Sequence, residues 1–422
     1  MSNDFSLSTQ FEINEIEIDD LDVIGLFQSI SIFENISSAV ITGSIVMLDS
    51  DGASFIEKNK IEGNEKITFK FTNANKETLE FEGVLNGQRN KVVDTSKVMY
   101  TFDFSTVQVR KNEGKRVVNR FRNQKPREIV EKMVEHIGGT IDKFEGEGKP
   151  MSFIGARKRP IDIIKRVLTH GVTTKSSSTE EGKNQEETAK GTTGFRCWQT
   201  LDGYRFNSVD EILAGNGGTN HGSFTYRLQN KGLPIKEAMD SVISYDFKVM
   251  GDMQTKLRSG AFKATVISFD IDKGHYKEYT YENTEGMTEK QKEQLKDIKS
   301  TRVINRPFSN EMFENSCSKA SKGQHDQSRE YLAQNSARQN TFNDQVGQFV
   351  LPPRFEFRAG DTFEAKIPKV ESEKGGGYNE KHTGRYVISQ VGHHLFNDGR
   401  AYTKVQTFRS TIQQDDTTSE ES

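Results

Sequence analysis

One pattern of short alternating strands occurs twice in this chain, and that recurrence constrains the fold more than any other feature. The first occurrence runs through Ile41–Asp51, then Glu62-Gly63-Asn64-Glu65 opening a strand, then Phe81–Arg89 and Met99–Thr106. The second runs through Phe262–Asp272, then Ala359-Gly360-Asp361-Thr362 opening a strand, then Gly384–His393 and Ala401–Arg409. Segment by segment, EGNEKITFKF parallels AGDTFEAKIP, FEGVLNGQRN parallels TGRYVISQVG, and MYTFDFST parallels AYTKVQTF. A duplicated strand set implies two copies of one small β-barrel, the second split by an insertion at roughly Tyr276–Asp344. Such a duplication lets three chains present six nearly equivalent elements around an axis. A duplication with no symmetric use is the alternative.

The strands themselves are read from side-chain alternation. In Glu65–Phe71, Ile67, Phe69 and Phe71 share one face while Lys66, Thr68 and Lys70 share the other. Phe11–Ile18 alternates with a slip between Ile13 and Ile16. Leu26–Phe33, Ile41–Leu48, Leu79–Leu85 and Val98–Phe104 complete the first set. Ser244–Val249, Phe262–Asp272, Val346–Leu351, Thr362–Ile367, Gly384–Leu395 and Ala401–Phe408 form the second. Between the two sets the period changes from two to that of a helix. Pro126 opens a helix carrying Ile129, Val130, Met133, Val134 and Ile137, and Gly138-Gly139 ends it. A second helix is expected over Pro160–His170, with Ile161, Ile164, Val167 and Leu168 inward. Asp202-Gly203 turns a hairpin over Phe195–Phe206, and Ser208 caps a short helix, Val209–Leu213. Ala214–Ser223 reads as a flexible glycine-rich loop and Thr173–Thr193 as a disordered one. Met287–Ile298 and His325–Phe342 read as helices, and Gln413–Ser422 as a disordered acidic tail.

The chain has 422 residues with 58 Lys+Arg against 61 Asp+Glu, a net charge of −3, which excludes a basic protein that coats nucleic acid. Apolar residues make up 33%, joined by 35 glycines, a content below the ~45–50% usual for a globular chain. The apolar residues are therefore spread over small cores or used between chains. No run approaches the ~18 apolar residues of a membrane span, and no signal peptide is visible. The two cysteines, Cys197 and Cys317, form neither a disulfide framework nor a zinc site, as expected of a chain maturing in a reducing cytosol.

Signatures of chemistry are missing. Asp49-Ser50-Asp51-Gly52 lacks the oxygen spacing of a calcium loop, as does Asp270/Asp272/Gly274. His393-His394 are strand neighbours and point to opposite faces, so they cannot chelate one ion. No HExxH, GxSxG, CxxC or phosphate loop occurs. Arg157-Lys158-Arg159 reads as a solvated basic run, and Cys197 beside Trp198 as a small buried residue. No catalytic, cofactor-binding or metal-binding residue is assigned, and no cofactor is expected. Ile67, Phe69, Phe71, Phe363 and Ile367 are either core or subunit contacts, core being the default.

Three stretches carry a resemblance. They are Ile41–Asp51 with Glu62–Ile67, the helix-helix-hairpin-helix run ending in Asp202–Ser208 with Ile212-Leu213, and Arg338–Lys366 with Phe349-Val350-Leu351-Pro352 and Arg358-Ala359-Gly360-Asp361. Over roughly residues 10–410 the chain resembles the central baseplate hub proteins of T-even-like contractile-tailed bacteriophages. Simpler myophage hubs and the hub part of type VI secretion spike proteins are similar. The resemblance implies an α+β, mainly β chain: two tail-tube-like β-barrels with an inserted mixed α/β domain. The first barrel would span 1–110 and the α/β domain 111–235. The second barrel would combine 236–275 with 345–412, and a helical insertion, 276–344, would pack on the α/β domain, with 413–422 as tail.

The resemblance also implies a homotrimer whose six barrels adapt a hexameric tail tube to a trimeric spike and form part of a DNA conduit. The implied partners are the chain itself, the tail spike or lysozyme protein, tube or tube-initiator proteins and baseplate wedge proteins. DNA would only pass through, with no stable membrane association. The place would be the virion, assembled in the host cytoplasm, and the chain would not be an enzyme. Ending near its last strand, it would lack a needle and need a separate spike. The competing expectations are a tail-associated peptidoglycan hydrolase, with its catalytic part in Arg127–Ser223, and the hub of a phage-tail-like or type VI secretion device.

Overall fold

The computed structural model describes residues 10–409, apart from 51–54, 95–96, 175–192, 228–234, 249–256, 261, 271–273, 275, 283–292, 294–295, 300–301, 309–331, 340–345, 370–376 and 380–381. Most of the expected loop over Thr173–Thr193, most of the helix over Met287–Ile298 and the acidic tail fall outside the described residues, while the loop's ends, Thr173 and Thr193, are buried and held in single β-bridges. Of the expected helix over His325–Phe342, residues 332–339 are described and helical.

The first strand set comprises β1 (Phe11–Ile18), β2 (Leu21–Asp22), β3 (Phe27–Asn35), β4 (Thr42–Asp49), β5 (Lys66–Asn73), β6 (Thr78–Asp94) and β7 (Lys97–Ser105), with the short helix α1 (Phe55–Lys58) between β4 and β5. Alternation places Ile67, Phe69 and Phe71 of β5 in the core at no more than 1% exposure. Phe69 stacks on Phe81, and both rings meet Phe104 within 5.6 Å. The slip in β1 is a bulge: the register against β5 shifts between Ile13 and Glu15, so Ile16 and Ile18 still point inward.

The middle of the chain opens with α2 (Gln108–Gly114) and β8 (Arg120–Gln124), followed by α3 (Pro126–His136), β9 (Ile141–Phe144) and β10 (Met151–Ile154). It continues through α4 (Pro160–His170), β11 (Phe195–Thr200), β12 (Gly203–Ser208) and α5 (Val209–Leu213). Helix α3 starts on Pro126, buries Ile129, Val130, Met133 and Val134, and is followed by Gly138 at φ +68°. In α4 the buried face carries Ile163 with Ile164 and Val167, whereas Ile161 and Leu168 are only half-buried. These helices and the β11–β12 hairpin share one core with Cys197 and Phe206. The Ser208 hydroxyl caps α5, accepting from Glu211 N at 3.2 Å.

The last part holds β13 (Asn220–Tyr226), β14 (Ser241–Val242), β15 (Ser244–Lys248), β16 (Lys263–Asp270), β17 (Tyr276–Glu282), β18 (Arg302–Phe308), β19 (Val346–Leu351), β20 (Thr362–Lys366), β21 (Gly384–Phe396) and β22 (Ala401–Phe408). Three expectations need correction here. The glycine-rich segment Ala214–Ser223 leads into β13, which pairs with β20. Gly218 serves close approach, since a Cβ there would collide with Asp361, while Gly215 and Gly222 take φ +81° and +78°. The insertion 276–344 is not purely helical, because β17 and β18 flank β16 in a separate three-stranded sheet. That sheet also takes the described part of the expected strand over Phe262–Asp272, which is β16, away from the second repeat; β19 stands where β4 stands in the first.

Among the described residues, fourteen strands form one sheet. The repeat appears in it as two equivalent paths, β4-β7-β6-β5-β1-β2 and β19-β22-β21-β20-β13-β14, with β3 flanking β4 and β15 flanking β19. Backbone bonds set the equivalence. Asn64 N donates to Leu85 O and Leu85 N to Glu65 O; Gly360 N donates to Ile388 O and Ile388 N to Asp361 O. Leu85 thus matches Ile388, one residue away from the sequence pairing, which set Leu85 against Val387. The cause is a left-handed turn residue, Gly360 at φ +93° in one copy and Asn64 at φ +105° in the other. Asn is among the few non-glycine residues that tolerate this region, so matching glycine to glycine misplaces the register. The copies differ at one end: β1 lies antiparallel to β5, whereas β13 lies parallel to β20. Neither copy of the expected pair of β-barrels is seen as a closed barrel among the described residues. Among the described residues the strand path stays open, because the second half of β21 gives its free side to β3 and joins the copies into one sheet.

Candidate functional site

The turn Arg358-Ala359-Gly360-Asp361 sits where the two repeat copies and the middle domain meet. Gly360 must be glycine, since a Cβ there would lie 2.5 Å from the Trp198 ring. Trp198, fully buried, donates its indole N–H to Ala359 O at 2.8 Å. Around it Ile36, Val209, Ile212, Ala359, Val387 and Phe408 form one apolar cluster drawn from all three bodies.

Charges close the junction. Asp361 is 1% exposed and accepts from Arg205 Nη1 at 2.7 Å, His221 Nε2 at 2.8 Å, Thr219 N at 2.9 Å and Arg358 N at 3.0 Å. Burial opposes its charge, but the His221 hydrogen bond and the Arg205 guanidinium outweigh it and hold the carboxyl below its ordinary value. Arg205 also donates from Nε to Asp142 at 2.6 Å and from Nη1 to Ala359 O at 3.2 Å. Arg358 grips Asp202 with two hydrogen bonds, 2.9 and 3.0 Å, at the tip of the β11–β12 hairpin. Glu34 of β3 reaches the same place. Its two oxygens accept from Leu201 N and Ala359 N, each at 2.9 Å. Burial pushes Glu34 up to about 7, against the opposing field of Arg358.

A second set of contacts lies below. Arg354 pairs with Asp240 at 2.8 Å, with Glu77 at 3.5 Å and with Glu356, and its guanidinium lies over the Phe224 and Phe357 rings. Asn73 donates to Pro353 O, and Glu77 accepts from Phe355 N. Phe355, Leu395 and Ala401 of the second copy lie in the core of the first.

A carboxyl with its pKa near neutrality, such as Glu34, is the type of group that serves as a general acid. Here it is 1% exposed and both oxygens are already occupied by backbone N–H groups. The arrangement is a clamp. An open polar cleft of about 460 Å³ lies nearby, lined by Lys143, Glu145, Glu211, Asn220 and Arg385 among others. Among the described residues, no three His, Cys, Asp or Glu side chains are placed to hold a metal ion. No helix among them is long and apolar enough to cross a membrane.

The residues singled out in the sequence fall as follows. Ile67, Phe69, Phe71, Phe363 and Ile367 are all core. His393 is buried with Nδ1 3.1 Å from the Thr403 hydroxyl, while His394 Nδ1 lies 2.8 Å from the Ser31 hydroxyl. Burial and the Arg358 charge push His393 down to about 3. Cys197 is buried, which raises its thiol to about 12. In the basic run, Arg159 pairs with Asp162 and Glu113. The Arg358–Asp361 turn is visible in the sequence, but its partners Asp202, Arg205 and His221 lie far along the chain. The missed signal was a cluster of arginines and acids in otherwise apolar strand and turn sequence.

The exposed counterpart of the junction is a pair of strand edges. In β21 the second half is covered on both sides, by β22 and by β3. Among the described residues the matching half of β6 pairs with β7 alone. Residues 88–94 are exposed, with Val93 at 68%, Val92 at 45% and Met99 of β7 at 37%. Strand β15 pairs with β19 on one side only among the described residues.

No protein-family model matches the sequence, and no curated protein matches it. Solved structures share its fold. One is the 43 kDa tail protein of prophage MuSo2 from Shewanella oneidensis, with a TM-score of 0.51 and 10% identity over 96% of this chain and 99% of that one. Another is the tail protein from Neisseria meningitidis MC58, with a TM-score of 0.52 and 8% identity over 96% of this chain and 98% of that one. At this identity the likeness is one of fold, and it is the fold of phage tail proteins along nearly the whole chain.

Proposed function

We propose that this chain is a structural baseplate hub subunit of a contractile phage tail. Three chains form a ring of six repeat copies that adapts a hexameric tail tube to a trimeric spike and encloses part of the DNA path. The observation that carries this reading is the duplicated strand path. Each chain holds two equivalent units joined edge to edge, with further edges left for neighbours. The fold shared with phage tail proteins supports it. The buried junction gives the two copies a fixed relation, which a ring of repeated units requires. A net charge of −3 suits a conduit, because a strongly basic lumen would hold the passing DNA. The chain's work is then mechanical, and its partners are itself, the spike, the tube proteins and the wedge.

Size-exclusion chromatography with light scattering tests the reading on the full chain. The expected mass is about three times 47.8 kDa. A monomer at every concentration contradicts it. Release of soluble fragments from purified peptidoglycan by the pure chain would favour a hydrolase instead.

A further inference from the structure

The internal contact between the copies shows how a second contact, between chains, is made. Within one chain β3 of the first copy lies on β21 of the second, with Ile30 opposite Leu395, Ser31 opposite His394 and Ile32 opposite His393. The counterpart of β3 is β15. Ile30 pairs with Ile45, which pairs with Phe102; Tyr245 pairs with Phe349, which pairs with Val405. The counterpart of the second half of β21 is that of β6. Val93 pairs with Val98 as Leu395 pairs with Ala401. One chain therefore contains the β3–β21 contact in full, and both of its halves again, apart from each other.

The two halves are dressed for such a contact. The covered stretch of β21 is mostly buried, with His393 at 1% and Leu395 fully buried. Its equivalent in β6 carries Val92 and Val93 in water. A long edge with exposed apolar residues templates further pairing unless something covers it. The β15 edge offers Tyr245 and Phe247, both half-buried.

We propose that β15 of one copy of this chain adds to the second half of β6 in the next copy, antiparallel. The register places Tyr245 opposite Val93, Asp246 opposite Val92 and Phe247 opposite Lys91. This rests on the hub reading and gives it a specific contact. Each chain supplies one β15 edge and one β6 edge, so the contact is head-to-tail and propagates from chain to chain. Every junction around the ring, within chains and between them, then has the same strand pairing. Main-chain hydrogen bonds supply the adhesion and the facing side chains the register.

Engineered disulfides test it in the full-length chain carrying Cys317→Ser, with the native Cys197 left in the core. Val92→Cys is combined with Asp246→Cys, both positions exposed. A second pair, Val93→Cys with Tyr245→Cys, samples the opposite face and keeps the test alive if one variant folds poorly. On oxidation both pairs should give covalent dimers and trimers on non-reducing gels, and single variants none. Val92→Cys with Lys248→Cys is two residues out of register. It should link about tenfold less, because diagonal Cβ atoms lie roughly 7–8 Å apart and a disulfide needs about 4 Å. An oligomer by light scattering with no link at either pair, or with equal linking in the shifted pair, overturns the pairing and leaves the hub reading standing. A chain monomeric at all concentrations overturns both.

Discussion

At the scale of single residues, two buried carboxyls with opposite tendencies, Asp361 and Glu34, tie the junction together. Asp361 is held ionised by Arg205 and His221. Asp361→Asn leaves the Arg205 charge buried with one anion fewer, and losing one partner of a buried pair costs about 3–5 kcal/mol. A urea titration should show that loss, and a change under about 1 kcal/mol would mean the junction relaxes around it. Glu34 titrates at about 7 in the fold against an ordinary 4.5. Its folded form therefore binds a proton more readily than the unfolded chain. The stability it contributes is complete below pH 4.5 and is lost as pH rises toward 7. The size is about 3 kcal/mol, from 1.36 kcal/mol per unit. The difference in unfolding midpoint between the natural chain and Glu34→Gln, measured at pH 5 and pH 7.5, should shrink at the higher pH; equal differences would refute the assignment. None of this was legible in the sequence. A charge pair such as Arg205–Asp361 joins positions with no periodic relation, and only the fold brings them together.

At the scale of elements, alternation made most strands legible because one face is buried: Ile67, Phe69 and Phe71 announce β5 unaided. The same logic hides the second half of β6. Its run Asn86–Asp94 has no buried face in the single chain, so nothing alternates: the alternating strand reads as ending at Leu85, and only the repeat carries the segment on to Arg89. The part of the molecule most suited to a partner was for that reason the least visible. Replacing Val92 and Val93 together with Lys should leave folding stability within about 0.5 kcal/mol, as for exposed positions. The same change should weaken self-association at least tenfold by light scattering, since like charges then line an edge built for pairing. Equal loss of both would place these valines in the fold itself. Gly360→Ala tests the turn instead. With φ at +93° and the Trp198 ring beside the new methyl, it should lower the melting temperature while its neighbour Ala359→Gly does so far less.

At the scale of the whole molecule, the two copies are not independent barrels. Phe355, Leu395 and Ala401 complete the core of the first copy from the second, and β21 covers the edge of β3. A fragment ending at residue 110 should therefore fail to fold alone, giving a broad thermal transition by circular dichroism, where a self-sufficient barrel would melt sharply. The duplication was legible from the strands around Gly360 and beyond, but not its first strand, which is β19 and not Phe262–Asp272, nor its register, which turns on Asn64 doing in one copy what Gly360 does in the other. The most direct test of the central claim is the symmetry of the purified particle, read from class averages in negative-stain electron microscopy. A three-fold ring with a central hole and six peripheral lobes is the expected result. Compact particles without rotational symmetry, at concentrations where light scattering shows one chain per particle, would contradict it.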